Sequence, residues 1–415
     1  MRKSTVFTSL AITLTIASTG CSSDTPSSDR STTSASSSAT TAPASAAELA
    51  ALYQGPGPFP VGVMTTSLPK GNRVEIWYPA VKGSAGQETY DVRDFTSPTV
   101  KALLTADVEA SITYAATRDA AVAEGKFPVV LFSHGFSGMR LQSTALTAHL
   151  ASWGMIVTSA DHPSRDLFHI LGDKPADDSV AELLGQLDLL TALDSDEASR
   201  LRNHVDTDHV AAMGHSAGGG TIVRAASRSN KIDGYVSLAS GLFGSATSSD
   251  PDCLKGRPTT TTVAGATTST APAPPTQPSI FIGGANDAIA IPKCVTVPAF
   301  RSAPTPTRLW LIDKVGHNGF DDFCRVGNGA GIIGVAEASG LGPALSQGPL
   351  AFAKTLGEDG CKAPNAPVTD AYPIINHATT AFLRNLFGID TTPMGLDASV
   401  ANEFSLSVQI EERLG

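Results

Sequence analysis

Residues Val210-Ala211-Ala212-Met213-Gly214-His215-Ser216-Ala217-Gly218-Gly219-Gly220 decide how this chain reads. An apolar run typical of a buried strand passes through a G-x-S-x-G pentapeptide into a stretch, Gly218 to Arg228, that reads as a helix. A serine at so sharp a strand-to-helix turn is pushed clear of the sheet. Glycines must flank it, because side chains there would collide with neighbouring backbone. With 38 glycines in the chain, the pentapeptide alone could be a mere glycine-rich turn. The flanking strand and helix favour an exposed nucleophilic hydroxyl.

Two later residues stand in the order such a serine requires. Asp287 follows the apolar run Ser279-Ile280-Phe281-Ile282 within Gly283-Gly284-Ala285-Asn286-Asp287, and His317 follows Leu309-Trp310-Leu311-Ile312 within Val315-Gly316-His317-Asn318-Gly319. Each sits just past a strand, and the order Ser, Asp, His is that of a strand-elbow serine site. A neutral serine hydroxyl is a poor nucleophile, so His317 is expected to take its proton and Asp287 to fix and stabilise the imidazole.

The other histidines read as structural or pocket-lining. His134 and His215 lie in turn motifs, His149 and His377 on presumed helices, His162 and His169 in one loop. Asp321 and Asp322, after the base, are expected to cap or solvate a loop. An oxyanion needs two amide donors. Ala217, next to the nucleophile at a helix start, offers one; Phe136, after the strand Phe127 to Ser133 in Ser133-His134-Gly135-Phe136, is the expected second.

Taken together, Ser133-His134-Gly135-Phe136, Leu150 to Val157, Asp161-His162-Pro163, the elbow and Gly316-His317-Asn318-Gly319-Phe320 resemble the platelet-activating-factor acetylhydrolase and dienelactone-hydrolase-like branch of the α/β-hydrolases. The extra glycines of the elbow, the Asn286-Asp287 loop and its spacing to His317 are also similar to bacterial cutinase-like polyesterases. The resemblance runs from Val61 to Phe387. It implies a serine esterase with no metal or organic cofactor. Dienelactone hydrolases proper use cysteine where this chain has Ser216, which disfavours that lactone chemistry. A long insert before Asp287 departs from both groups.

The expected function is therefore an exported serine carboxylic-ester hydrolase working through an acyl-enzyme on short or medium acyl esters, phospholipid-like ones included. Polyester or triglyceride hydrolysis and acyl transfer on the same triad are the alternatives, as is a non-catalytic surface lipoprotein that keeps the fold. Phe136, Phe168, Trp310 and Phe320 are aromatic candidates for the pocket, with core packing the expectation for Trp310.

Residues 1–20 read as an export signal, with Arg2 and Lys3 ahead of a mostly apolar stretch and small residues before Cys21. Ser18-Thr19-Gly20-Cys21 resembles a lipobox, although Ser18 replaces the usual leucine. Cys21 is accordingly expected to carry lipid and to hold the protein at a membrane surface. Removing it from 5 cysteines leaves Cys253, Cys294, Cys324 and Cys361, which allow three pairings in an exported chain. Cys253–Cys294 and Cys324–Cys361 are expected, since each would tie down an insertion beside a catalytic residue.

Residues 21–50 are rich in Ser, Thr and Ala and read as a disordered tether. The tract Pro258 to Pro278 reads as an exposed loop insert lacking the apolar residues of a lid. About 340 to 365 residues then remain for one domain, expected over 51–390, with inserts near 242–278 and 318–372 and an extension over 391–415. The segment Asn318 to Pro373 could be a small cap or an irregular excursion.

Apolar strands alternating with helices predict an α/β fold, the α/β-hydrolase arrangement of about eight mostly parallel strands with helices on both faces. The strands are placed at Val61 to Thr66, Val74 to Tyr78, Val129 to Ser133, Met155 to Ala160, Val210 to Met213, Gly234 to Leu238, Ser279 to Ile282 and Arg308 to Ile312. Net charge is −10 and only 16% of residues are charged. With no basic stripe interleaved with aromatics, nucleic-acid binding is excluded.

Overall fold

Ten strands form one sheet in the order β12-β11-β10-β9-β8-β6-β7-β2-β1-β5. They are β1 (Val61–Ser67), β2 (Arg73–Pro79), β5 (Thr117–Arg118), β6 (Phe127–Ser133), β7 (Ile156–Ala160), β8 (Val205–His215), β9 (Gly234–Leu238), β10 (Ser279–Gly284), β11 (Thr307–Ile312) and β12 (Val408–Arg413). β3 (Gln87–Asp91) and β4 (Ser111–Ala115) pair as a separate hairpin. All eight expected strands are present. The two additional ones in the sheet are the two-residue β5 at one edge and β12 at the other, within the expected C-terminal extension.

This computed structural model describes residues 44–105, 107–169, 172, 174–242, 253, 273–347 and 349–415. The expected export signal, Cys21, most of the tether and most of the Pro258 to Pro278 tract lie outside them. Residues Ala44–Gly415 form one compact unit. It takes in helix α1 (Ala46–Ala51), started by a capping box in which Ser45 and Glu48 satisfy each other's backbone amides, so the end of the expected tether is helical.

From β7 to β11 neighbouring strands run parallel, whereas β12, β2 and β1 pair antiparallel on the flanks. Alternate side chains explain why both faces must be covered. Val130 and Phe132 enter one apolar cluster, which helices α3 (Thr144–Ser152) and α10 (Val368–Leu386) close with Leu146, Leu150, Ile374 and Phe382. Val129 and Leu131 enter the other, which α4 (Ser179–Ser195), α5 (Ala217–Ala226) and α6 (Thr296–Ser302) close with Leu183, Ile222 and Phe300.

The chain leaves β6 for β7 on one side and returns to β8 on the other. That reversal opens a crevice at the carboxyl ends of β6 and β8, where doubly wound sheets bind ligands. The segment after His317 forms a helical cap rather than an irregular excursion. It comprises α7 (Gly331–Ala336), a wide turn, α8 (Gly342–Leu345) and α9 (Pro349–Glu358), while short α2 (Pro98–Lys101) lies between β3 and β4.

Cys324–Cys361 staples this cap and Cys253–Cys294 the insert before α6. No helix among the described residues is long and apolar enough to cross a membrane.

The turn between β8 and α5 tolerates no extra carbon. A Cβ on Gly218 would lie 1.9 Å from the Ser133 carbonyl oxygen, whereas one on Gly220 would meet nothing nearer than the Arg224 guanidinium at 3.6 Å. Gly218→Ala should therefore destabilise the protein by about 3 kcal/mol in urea denaturation. Gly220→Ala should hold or gain stability, by up to about 1 kcal/mol.

Candidate active site

Ser216 lies between β8 and α5 with φ 54° and ψ −119°, a conformation that non-glycine residues rarely adopt. Such strain costs about 1–3 kcal/mol and persists only where its surroundings over-determine it. Here the Ser216 amide donates to the Leu238 carbonyl at the end of β9 (2.9 Å), and its carbonyl accepts from Gly219 (2.9 Å). A Cβ on Gly214 would lie 2.5 Å from the Gly218 backbone, so the two arms of the turn touch. The half-buried Ser216 hydroxyl is thereby aimed out of the sheet.

The structure brings Ser216, His317 and Asp287 together. His317 Nδ1 lies 2.9 Å from Asp287 Oδ2 and its Nε2 lies 2.8 Å from Ser216 Oγ. Facing a carboxylate, Nδ1 carries the proton and donates it. Nε2 is left bare to accept from the serine. The second Asp287 oxygen accepts amides from Ile289 (2.8 Å) and Ala290 (2.6 Å), which lock the carboxylate's plane. Burial works to lower the His317 pKa, but the charge and hydrogen bond of Asp287, with Asp359 and Asp321 behind, outweigh it and hold the pKa above 6.5.

Asp359, at the end of the cap, links the loops that carry His317 and Asp287. Its Oδ1 accepts the His317 amide (3.0 Å), its Oδ2 the Ala288 amide (2.8 Å), and its carbonyl the Asn318 amide (2.9 Å). Sequence reasoning missed it, since nothing local marks an aspartate 42 residues beyond the histidine.

Loop 134–138 passes opposite the serine. Three of its amides are used: Gly135 donates to Gln142 Oε1, Ser137 to the Arg165 carbonyl and Gly138 to the Gly135 carbonyl. Those of Phe136 and Ala217 meet no protein acceptor among the described residues, as two oxyanion donors require.

Gln142, fully buried, ties this loop to the rest of the site. Its Nε2 donates to His215 Nδ1 (2.7 Å) and Asp321 Oδ2 (3.0 Å), and His215 Nε2 in turn donates to the His317 carbonyl (3.0 Å). That pattern makes His215 neutral; burial pushes its pKa down to about 3. Asp321 and Asp322, expected to cap or solvate a loop, are both buried. Burial pushes Asp321 up to about 7, while Asp322 caps α3 through Thr144 Oγ1 (2.6 Å) and the Ala145 amide (3.0 Å).

Beneath the loop, buried Arg165 donates to the His134 carbonyl (2.9 Å) and to Ser133 Oγ (2.7 Å). Ser133 passes its own proton toward His162 Nε2 (3.0 Å), and His162 Nδ1 donates to Glu182 (2.6 Å). His149 meets Thr380, His377 meets the Gly395 carbonyl and His169 meets Asp166, so each of these has a structural partner.

An apolar cavity of about 980 Å³, counting its mouth, opens on Ser216 and His317. Of the aromatic candidates, Phe136 lines it, Trp310 is core, and Phe320 is buried with its ring stacked on His215. Phe168 is exposed. Among the described residues no cluster of three or more His, Cys, Asp or Glu side chains could hold a metal ion.

A family model for PET hydrolase-like proteins matches residues 111–242, and one for platelet-activating factor acetylhydrolase, isoform II, matches residues 46–168. A solved structure of a ferulic acid esterase from Streptomyces cinnamoneus superposes with a TM-score of 0.54 at 20% identity, over 85% of this chain and 98% of that one. The chain is a serine hydrolase of the α/β-hydrolase fold. Its matches lie on the esterase and polyesterase branch of the α/β-hydrolases. No curated protein sequence matches it. In this α/β-hydrolase Ser216 falls within the first matched segment, whereas Asp287, His317 and the cap lie beyond both.

Histidine labelled with nitrogen-15 tests the electrostatics directly. In NMR titration the His317 imidazole should protonate above pH 6.5, and Asp287→Asn should shift that midpoint down, because it removes the charge that stabilises the imidazolium. Asp359→Asn should shift it the same way by less.

Proposed function

We propose that this protein is an exported serine carboxylic-ester hydrolase that acts through an acyl-enzyme on short or medium acyl esters. One observation carries the reading: an unbroken relay from Ser216 Oγ through His317 to Asp287, at 2.8 and 2.9 Å, opens onto an apolar cavity.

The chemistry follows from proton positions. Ser216 Oγ attacks the ester carbonyl as His317 Nε2 takes its proton, and Asp287 stabilises the imidazolium. The amides of Phe136 and Ala217 receive the developing oxyanion, the latter aided by the positive end of α5. Collapse breaks the carbon–oxygen bond, and His317 returns the proton to the leaving alcohol. Water then enters by the same route in reverse, giving up a proton to His317 and releasing the carboxylic acid and free Ser216.

Two disulfides support an oxidising, extracytoplasmic setting. Residues Ser18 to Cys21 support a lipid anchor on Cys21 at the outer face of the membrane.

Ser216→Ala and His317→Ala should each lower kcat for a nitrophenyl ester by about a thousandfold or more, since members of such a unit fail together. Asp287→Asn should lower it by less. Activity retained in His317→Ala would reassign the base. Mass spectrometry of the native amino terminus should find a diacylated or triacylated Cys21, and an unmodified terminus elsewhere would refute the anchor.

A further inference from the structure

The cap shapes the acyl side of the cavity, and its chemistry is selective. Ile332, Ile333, Ala336, Leu341, Leu345 and Leu350 come from α7, α8, α9 and the turns between them. Val100 and Leu104 close the space from the α2 side, and Leu167 and Phe323 add further apolar wall. Among the described residues, charged or titratable lining is limited to Asp321, His215 and His317, all of which belong to the hydrogen-bonded apparatus around Ser216; of the neutral polar lining, Gln142 is held by His215 and Asp321 and the Asn318 amide by the Leu356 carbonyl, while Ser137 adds a hydroxyl. The Thr96 hydroxyl already donates to the Arg93 carbonyl (2.7 Å).

An aromatic acyl group of the hydroxycinnamoyl kind carries a phenolic hydroxyl. Inside this wall it would lose its water with few groups to replace it, a cost of about tenfold or more in affinity. An acetyl group would leave the branched side chains facing an unfilled space. A linear aliphatic chain meets neither penalty, because each methylene leaves water for Leu and Ile surface.

Resting on the esterase reading, we propose that the cap makes the acyl-binding site and that the substrates are esters of linear aliphatic acids of medium length, in preference to acetyl or hydroxycinnamoyl-type esters. Ala336 and Ala353 are the positions where this can be altered most sharply. Both line the cavity with the smallest side chain on it that has a Cβ, so that a larger residue there shortens the space available to a chain without touching Ser216, His317 or Asp287.

The test is a series of nitrophenyl esters, acetyl, butyryl, octanoyl and 4-hydroxycinnamoyl, held below micelle-forming concentrations. For the wild type, kcat/KM should rise by about threefold or more per methylene from acetyl to octanoyl, with 4-hydroxycinnamoyl well below octanoyl. In Ala336→Trp and Ala353→Trp the octanoyl-to-acetyl ratio of kcat/KM should fall at least about tenfold. A flat or falling series, or 4-hydroxycinnamoyl ahead of octanoyl, with Ser216-dependent acetyl hydrolysis intact, overturns the aliphatic assignment and leaves the esterase standing. Failure to cleave any member of the series overturns both. Should a tryptophan variant not fold, the wild-type series still decides between these outcomes.

Discussion

The strained backbone of Ser216 is the constraint on which the rest of the site depends. A residue with φ 54° holds only because Gly218 packs against the Ser133 carbonyl and Gly214 against Gly218, so that β6, β8 and the start of α5 meet with no room for a side chain. The same packing that costs conformational energy points the hydroxyl outward and brings the α5 amides under it. It also fixes where β6 ends, and therefore where loop 134–138 can place the Phe136 amide.

Around that turn the polar groups form one continuous frame. Gln142 joins loop 134–138 to His215, His215 holds the His317 carbonyl, and Asp359 ties the loop of His317 to that of Asp287. Arg165 braces the far side of loop 134–138, donating to the His134 carbonyl while its own carbonyl accepts from Ser137. Buried and nearly fully paired, these groups resist displacement, because breaking any link strands a donor or acceptor out of reach of water. Preorganisation of this kind is what an oxyanion site needs, since its donors must be in place before charge develops.

Much of the fold was legible because strand and helix periodicity are local. The eight strand candidates and the helix read over Gly218 to Arg228 are all present, with ends shifted by a few residues, as in β8, which begins at Val205 rather than Val210. β5, two residues long, is too short to leave a pattern, and β12 is half exposed with charged residues. The cap was legible only as a choice between two readings, since glycines at 327, 329, 331 and 334 break the helical period between short turns. Ser216, Asp287 and His317 stood out because each follows a strand. Gln142, Arg165 and Asp359 carried no such mark. Gln142 meets His215 across 73 residues and Asp321 across 179, distances that only the fold closes.

The central claim is that Ser216 is the nucleophile and that His317 makes it one. A fluorophosphonate reacts only with a serine so activated, and peptide mapping by mass spectrometry names the residue it modifies. The account predicts a single phosphonyl group on the peptide containing Ser216, formed more slowly as the pH falls through the raised pKa of His317. Modification of a different serine, or none in a preparation that turns over esters, would contradict it.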